Sequence, residues 1–412
     1  MLSLEKNVQA AWDFVLNKLF CPKTKLIYEY CTDLSEFGAF KHLPTKEEIL
    51  SHYPNPCGWF TGMEDADING GIMLEAIMHR YSLTKDESLK KWANDLYEGM
   101  MLNATLSKSD GFLIRSRLPE DGVTHYINSS RDQYTHWIEA MVHFYFSELS
   151  SEEQKEAIKK VLLSFAKKAE RDVTKENHYC LLDELGDPAL VCSMAGELHV
   201  DIEWHETCRL PMFYIAAYAV SKDEHWLNMY HSVRDTALDS AETIDLSPNS
   251  YAIVFPLLQM QISLRLIYDF ETELQYKDRY YALMHRIASS IDRFAITASN
   301  LAKSGFVMPN TIMPWRDVPK EYQIPKSSSI AGRTVMWPQT YLASGVDAER
   351  KILRGGAESI LTQLLCPDYQ VSAKQVDAFL DVLRYISFET PFNYLAVTYS
   401  SAWWALKHAN KV

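Results

Sequence analysis

The chain has 412 residues, 47% of them apolar and 12% aromatic, which is enough to bury a large core; its net charge is −13. No run of Lys and Arg occurs, which excludes a nucleic-acid surface, because counterion release needs clustered cations. No stretch of about 20 apolar residues lacks a charge, which excludes a membrane-spanning helix.

Seven scattered cysteines without a CxxC pair fit reduced, buried thiols rather than a disulfide or zinc framework. A cytoplasmic protein is expected, or a periplasmic one whose signal has been removed.

In chain order, residues 3–19 are an amphipathic helix whose Glu5, Lys6 and Asp13 break up any secretion signal. A long loop, 20–64, leads into "GWFTGMEDADINGG" (58–71), where Glu64, Asp65, Asp67 and four glycines surround the start of a helix over 65–81. From there two kinds of helix alternate. Charge-poor helices are predicted over 65–81, 130–147, 206–220, 252–268, 336–344 and 393–407; "NYLAVTYSSAWWAL" in the last has no charge at all. Such segments must be covered nearly all round. Helices with one charged face are predicted over 3–19, 86–103, 151–172, 223–241, 276–298 and 347–364. A further helical stretch, 371–386, falls outside this count and is read as an insertion.

Six of each kind in alternation predict an all-α, (α/α)6 toroid of six helical hairpins, one domain over 1–412. An inner ring is buried on both sides, and an outer ring is half in water. Links out of the charge-poor helices are short, while those into them, 20–64, 104–129, 173–205 and 299–335, are long. This parity puts the long loops on one end, where sites are built on a rigid scaffold. Short β-hairpins are expected within these loops. "GELHVDIEWHE" (196–206) alternates apolar and ionisable residues with the period of a strand, and "DGFLIRSRLP" could supply another. The stretch 314–333 is expected to be a lid or a surface loop.

The starts of the charge-poor helices then converge on one mouth. They bring Glu64 and Asp65, Arg131 and Asp132 from "NSSRDQYTHW", Arg209, Trp337 and Tyr394, with Trp59, Trp137, Trp204 and Trp315 in the same segments. Aromatic faces stack on sugar rings, and carboxyl pairs break glycosidic bonds, one protonating the leaving oxygen and the other activating water or attacking. An oligosaccharide substrate is therefore expected, with Asp65 and Asp132 as the pair. Each aspartate has a second reading as a helix N-cap, although Ser129 and Ser130 offer caps before Asp132. His136, one turn after Asp132, either contacts substrate or is a satisfied core histidine. His199 and His205 with Asp201 and Glu203 are spaced too widely along a strand to hold a metal unaided, so a polar pocket wall is expected there.

"MEDADINGG" with Asp65 and "SRDQYTHW" with Asp132 resemble the two aspartate segments of the six-hairpin glycosidases, in particular the unsaturated glucuronyl and unsaturated rhamnogalacturonyl hydrolases. The resemblance covers most of the chain in layout, through short motifs. It implies the same toroid and hydration of the ring double bond of an unsaturated uronic sugar. Asp132 is then proton donor and base, Asp65 positions sugar and water, and Arg131, Arg209 or Arg333 holds the uronate carboxylate. No metal or organic cofactor is required by that chemistry. The alternatives are an ordinary glycosidase, a sugar epimerase of the N-acylglucosamine epimerase type in which His199 and His205 act, a polysaccharide lyase, and a non-catalytic sugar-binding toroid.

Overall fold

Segments that carry few charges have nowhere to put a wet face, and in the computed structural model they close on one another. The structure describes residues 4–34, 40–194, 205–247, 254–328 and 333–412. In chain order α1 (Leu4–Phe14) runs through the single turn α2 (Lys46–Leu50) to α3 (Ala66–Thr84), and α4 (Ser88–Thr105) to α5 (Arg131–Phe146). Next α6 (Glu152–Asp172) leads to α7 (Arg209–Ser221), and α8 (Glu224–Glu242) to α9 (Val254–Phe270). The outer pair α10 (Leu274–Ser290) and α11 (Asp292–Lys303) precedes a turn, α12 (Thr340–Ala343), and α13 (Asp347–Leu365). Finally α14 (Ala373–Tyr385) leads to α15 (Asn393–His408).

Packing closes an inner ring: α3 lies on α5, α5 on α7, α7 on α9, α9 on α13, α13 on α15, and α15 back on α3. The outer helices cover the seams, with α1 on α14 and α15, α4 on α3, α6 on α5 and α7, α8 on α7, α10 on α9 and α13, and α11 and α14 on α13. This is the expected (α/α)6 toroid. The inner helices are buried on almost every side, as α7 is from Arg209 to Ala217. Outer helices keep one wet face; α6 buries Ile158, Val161, Leu162 and Phe165 and starts with a capping box between Ser151 and Gln154. No described helix is long and apolar enough to cross a membrane.

Two assignments change. The fifth inner helix is α13 rather than 336–344, which forms an edge of a hairpin followed by one turn, and 373–385 is the sixth outer helix rather than an insertion. The outer segment 276–298 is broken at Ile291.

Three small antiparallel pairs decorate the loops: β1 (Phe20–Cys21) with β2 (Leu26–Ile27), β3 (Cys180–Leu182) with β4 (Pro188–Ser193), and β5 (Gln323–Ser328) with β6 (Arg333–Pro338). The last runs in unbroken register from Gln323 opposite Pro338 to Ser328 opposite Arg333. So the stretch 314–333 contributes one arm of a hairpin. "DGFLIRSRLP" is not a strand, because its Arg115 and Arg117 turn into the protein and bond to loop and helix carbonyls. The strand expected over 196–206 lies outside the described residues up to 204, and His205 and Glu206 sit in a turn.

The glycines of "INGG" have a packing reason. A Cβ at Gly71 would come within 2.7 Å of the His136 carbonyl oxygen, so α3 and α5 approach more closely there than any side chain allows. Gly71→Ala is expected to destabilise by about 1–3 kcal/mol, the usual cost of overpacking, read as a lower urea midpoint with the same slope.

Candidate functional site

The alternation of inner and outer helices points every inner helix the same way, so α3, α5, α7, α13 and α15 begin around one hollow. Ser130 caps α5, its hydroxyl accepting from the Gln133 amide at 3.4 Å, which leaves Asp132 free. Asp65 stands at the N-cap position of α3 yet makes no side-chain cap bond. It accepts instead from the Gln133 side-chain amide at 3.0 Å, across the α3–α5 seam. Glu64 beside it accepts from the Phe60 amide at 2.9 Å.

One guanidinium serves both acids. Arg115, from the 106–130 loop, lies 3.6 Å from Glu64 and 3.5 Å from Asp65, and its Nε donates to the Glu64 carbonyl at 3.0 Å. Glu29 is a third buried acid nearby, accepting from the Tyr341 hydroxyl at 3.3 Å. Three buried carboxyls whose charges act on one another cannot all ionise easily, although Arg115 offsets Glu64 and Asp65, and Arg350 offsets Glu29. Burial, then the Asp65 charge, pushes Glu64 up to about 7. Burial also raises Asp65, and it holds Glu29 well above the usual carboxylate range with help from the charges of Glu64 and Asp65.

Asp132 is the opposite case. Burial would raise it, but Arg209 and then Arg131 outweigh that and hold it at about 2. Arg209, at the start of α7, donates to Asp132 at 2.5 Å, to Thr135 at 3.3 Å and to Gln259. Arg131 is paired with Glu206. Two of the three arginines expected to grip a substrate carboxylate, Arg131 and Arg209, therefore already meet an acid of the protein. The acids remain within reach of water: the side chains of Glu64, Asp65 and Asp132 are 15%, 19% and 33% exposed. Asp65 and Asp132 also feel each other's charge, as two groups lining one hollow do.

The far wall comes from α13 and α15. Arg354 pairs with Glu358 at 2.5 Å and lies between the rings of Phe255 and Tyr394, 4.0 and 3.9 Å from their centroids. Tyr394 donates its hydroxyl to Glu358 at 3.1 Å. An aromatic roof completes the hollow, with Trp59 and Trp337 5.7 Å apart and the Lys326 ammonium 4.6 and 4.2 Å from their centroids. The Asn55 amide ties the roof down through the Met336 carbonyl at 3.2 Å.

Other expected site residues go elsewhere. Trp137 is fully buried, its indole donating to the Met100 carbonyl at 3.0 Å, and it packs on Phe165 in the α4–α6 layer. Trp315 is buried among loops, donating to the His42 carbonyl at 2.9 Å beside Tyr53. His136 lies beneath the site, 1% exposed and stacked near Phe255. His205 sits at the rim, 3.5 Å from Glu206, and burial, then Arg209 and Arg131, hold it neutral, down at about 3. His199 and Trp204 lie outside the described residues, and of Arg333 only the backbone in β6 is described. Sequence reasoning missed Glu29, Arg115, Lys326, Arg354 and Glu358. Among the described residues no group of His, Cys, Asp and Glu is gathered as a metal site.

No protein-family model matches the chain, and no curated protein matches it. A solved structure of an inactive variant of an α-1,6-mannanase from Salegentibacter sp. HEL1_6, in complex with α-1,6-mannotriose, is similar over 87% of this chain and all of that one, at 10% identity and a TM-score of 0.37. Likeness at that distance carries nothing about chemistry.

Proposed function

We propose that the chain is a glycoside hydrolase acting on oligosaccharides that contain an acidic sugar. The observation that carries this reading is the different setting of two carboxyl groups at the starts of neighbouring inner helices: Glu64 crowded against Asp65 beside Arg115 and pushed up to about 7, Asp132 bonded by Arg209 and held down at about 2. A pair driven apart in this way marks an acid and a base. Glu64 is then the proton donor and Asp132 the carboxylate that draws a proton from the attacking water. This moves the donor role from Asp132, where the resemblance to unsaturated uronyl hydrolases puts it, because a carboxyl fixed as an anion by Arg209 and Arg131 has no proton to give at neutral pH. Asp65, held by Gln133 and Arg115, orients the sugar and the water.

The acidic sugar follows from Lys326. Among the described residues no carboxylate lies within ion-pairing distance of its ammonium, which rests on Trp59 and Trp337 and feels the charges of Glu64 and Asp132. Trp59 is 3% exposed and the ammonium itself covers the two rings, so what Lys326 offers a sugar is a held positive charge, suited to a carboxylate. Lys326→Met is expected to raise KM for a uronic substrate roughly tenfold, about the worth of one modest ion pair, and to leave kcat nearly unchanged. Of the two histidines on which an epimerase would rest, His205 is a poor proton acceptor, because burial, then Arg209 and Arg131, push it down to about 3, and His199 lies outside the described residues.

The test is a panel of saturated and unsaturated uronic disaccharides, read by the absorbance of the conjugated double bond and by release of reducing ends. Loss of absorbance identifies hydration of the double bond; reducing ends without it identify direct hydrolysis. A gain of absorbance, as a lyase gives, or no change in either signal on every substrate would overturn the proposal.

A further inference from the structure

The opposite end of the ring carries a second set of ionisable groups that the chemistry at the mouth does not use. There the inner helices end around a cavity of about 270 Å³. It opens at the exposed His408 and Ala409 and runs inward to His136. Two acids face it, Glu75 from α3 and Glu139 from α5. Glu75 is engaged by His143 at 2.7 Å, whereas among the described residues the one group within ion-pairing distance of Glu139 is His136, 3.9 Å away. His136 is 1% exposed, lines the cavity, and neither of its ring nitrogens has a hydrogen-bond partner.

Of the remaining described groups, only His143 and, through its charge, Arg265 offset this pair of acids. Arg265 of α9 is committed to Asp269 at 2.9 Å and to the Leu365 carbonyl at 3.0 Å. Burial holds His79 of α3 neutral, down at about 4. His408 of α15 lies tilted against His79 at the rim, 4.9 Å between ring centroids, and α13 contributes only leucines. That leaves His143, which burial would lower but Glu75 and Glu139 raise to about 9, as one cation between two carboxyls. Glu139 is accordingly pushed up to about 8 by burial and by the charge of Glu75. Around them the C-terminal ends of α3, α5, α9, α13 and α15 bring partial negative charge, which favours a cation and opposes an anion.

The cavity is many times the roughly 30 Å³ share of one water, and among the described residues nothing is gathered as a metal would need. Its other walls are aliphatic, among them Leu258, Ile262 and Leu361. We propose that this cavity is a second ligand site, which takes a compact organic ammonium, the charged nitrogen between Glu139 and Glu75 and the hydrocarbon body against Leu258, Ile262 and Leu361. The site is independent of which sugar enters the mouth.

The experiment titrates cyclohexylammonium, cyclohexanol and zinc chloride into the full chain by calorimetry. Saturable binding of the amine is expected, at least tenfold tighter than that of the alcohol. Glu139→Gln is expected to weaken the amine at least tenfold, and Leu361→Trp, which fills the cavity, to abolish its binding while the far-UV circular dichroism stays unchanged. Glu75→Gln serves as the second acid variant if Glu139→Gln does not fold. Equal binding of amine and alcohol, amine binding that survives the acid and the cavity-filling substitutions, or zinc displacing the amine at equimolar concentration would each overturn the proposal.

Discussion

Asp132→Asn is expected to lower kcat by roughly a thousandfold, within the usual span for removing a general base, while the far-UV circular dichroism stays that of the wild type. The asparagine oxygen can still accept from Arg209, so the fold survives; what is lost is the negative charge that would draw a proton from water. The stability cost is moderate. Arg209 is 1% exposed and loses its anion, but Asp132 is one-third open to solvent, so the loss falls below the roughly 3–5 kcal/mol of a fully buried pair. Its pH dependence has a definite sign. The carboxyl is held at about 2 in the fold, below the roughly 3.9 of an unfolded chain, so its contribution is present above about pH 4 and disappears as pH falls towards 2. The asparagine variant should lack that acid limb in a denaturation series. Full activity in Asp132→Asn would show that the aspartate only steadies Arg209.

Much of this site was legible because helix starts have a grammar. "NSSRDQYTHW" offers Ser130 as the cap, so Asp132 is surplus to capping and free for other work. The geometry of one turn also separates residues that the sequence lists side by side. His136, four positions on, shares the face of Asp132, whereas Trp137, five positions on, is rotated away into the α4–α6 layer. That rotation was available from the sequence and argues against Trp137 as a sugar platform.

The fifth hairpin departs from the charge pattern for a physical reason. Arg350, Arg354 and Glu358 give 347–364 the look of a wet face, but Glu358 is buried and Arg354, paired with it, is only 17% exposed. Conversely, "MWPQTYLAS" is free of charge because it packs as a hairpin edge and one turn, and a short apolar run does not say whether it is helix or strand. Charge density marks contact with water only when the charges are unpaired. Arg115, Glu29 and Lys326 come from segments remote in sequence, and no local pattern announces that all three will act on Glu64.

Glu64→Gln is expected to be the second severe loss, and it separates proton donation from binding. The glutamine oxygen can keep the bond from the Phe60 amide and the contact with Arg115, so substrate should still bind with nearly the same KM while kcat falls by about a hundredfold or more. In the wild type the donor is pushed up to about 7, so kcat/KM should decline as pH rises through about 7 and the acid gives up its proton. The variant should lose that alkaline limb from its residual activity. Stability should move the other way. A carboxyl whose folded pKa lies above its unfolded one binds protons more readily in the fold, so the wild type loses stability as pH rises from about 4.3 to about 7. Glutamine has no such term, and Glu64→Gln should therefore unfold at a higher urea concentration than the wild type at pH 8 while being nearly inactive. A variant less stable than the wild type at pH 8, or one that keeps the alkaline limb, would place the donor on another group, and Asp65, raised by the same burial and sharing the same arginine, would be the next to replace.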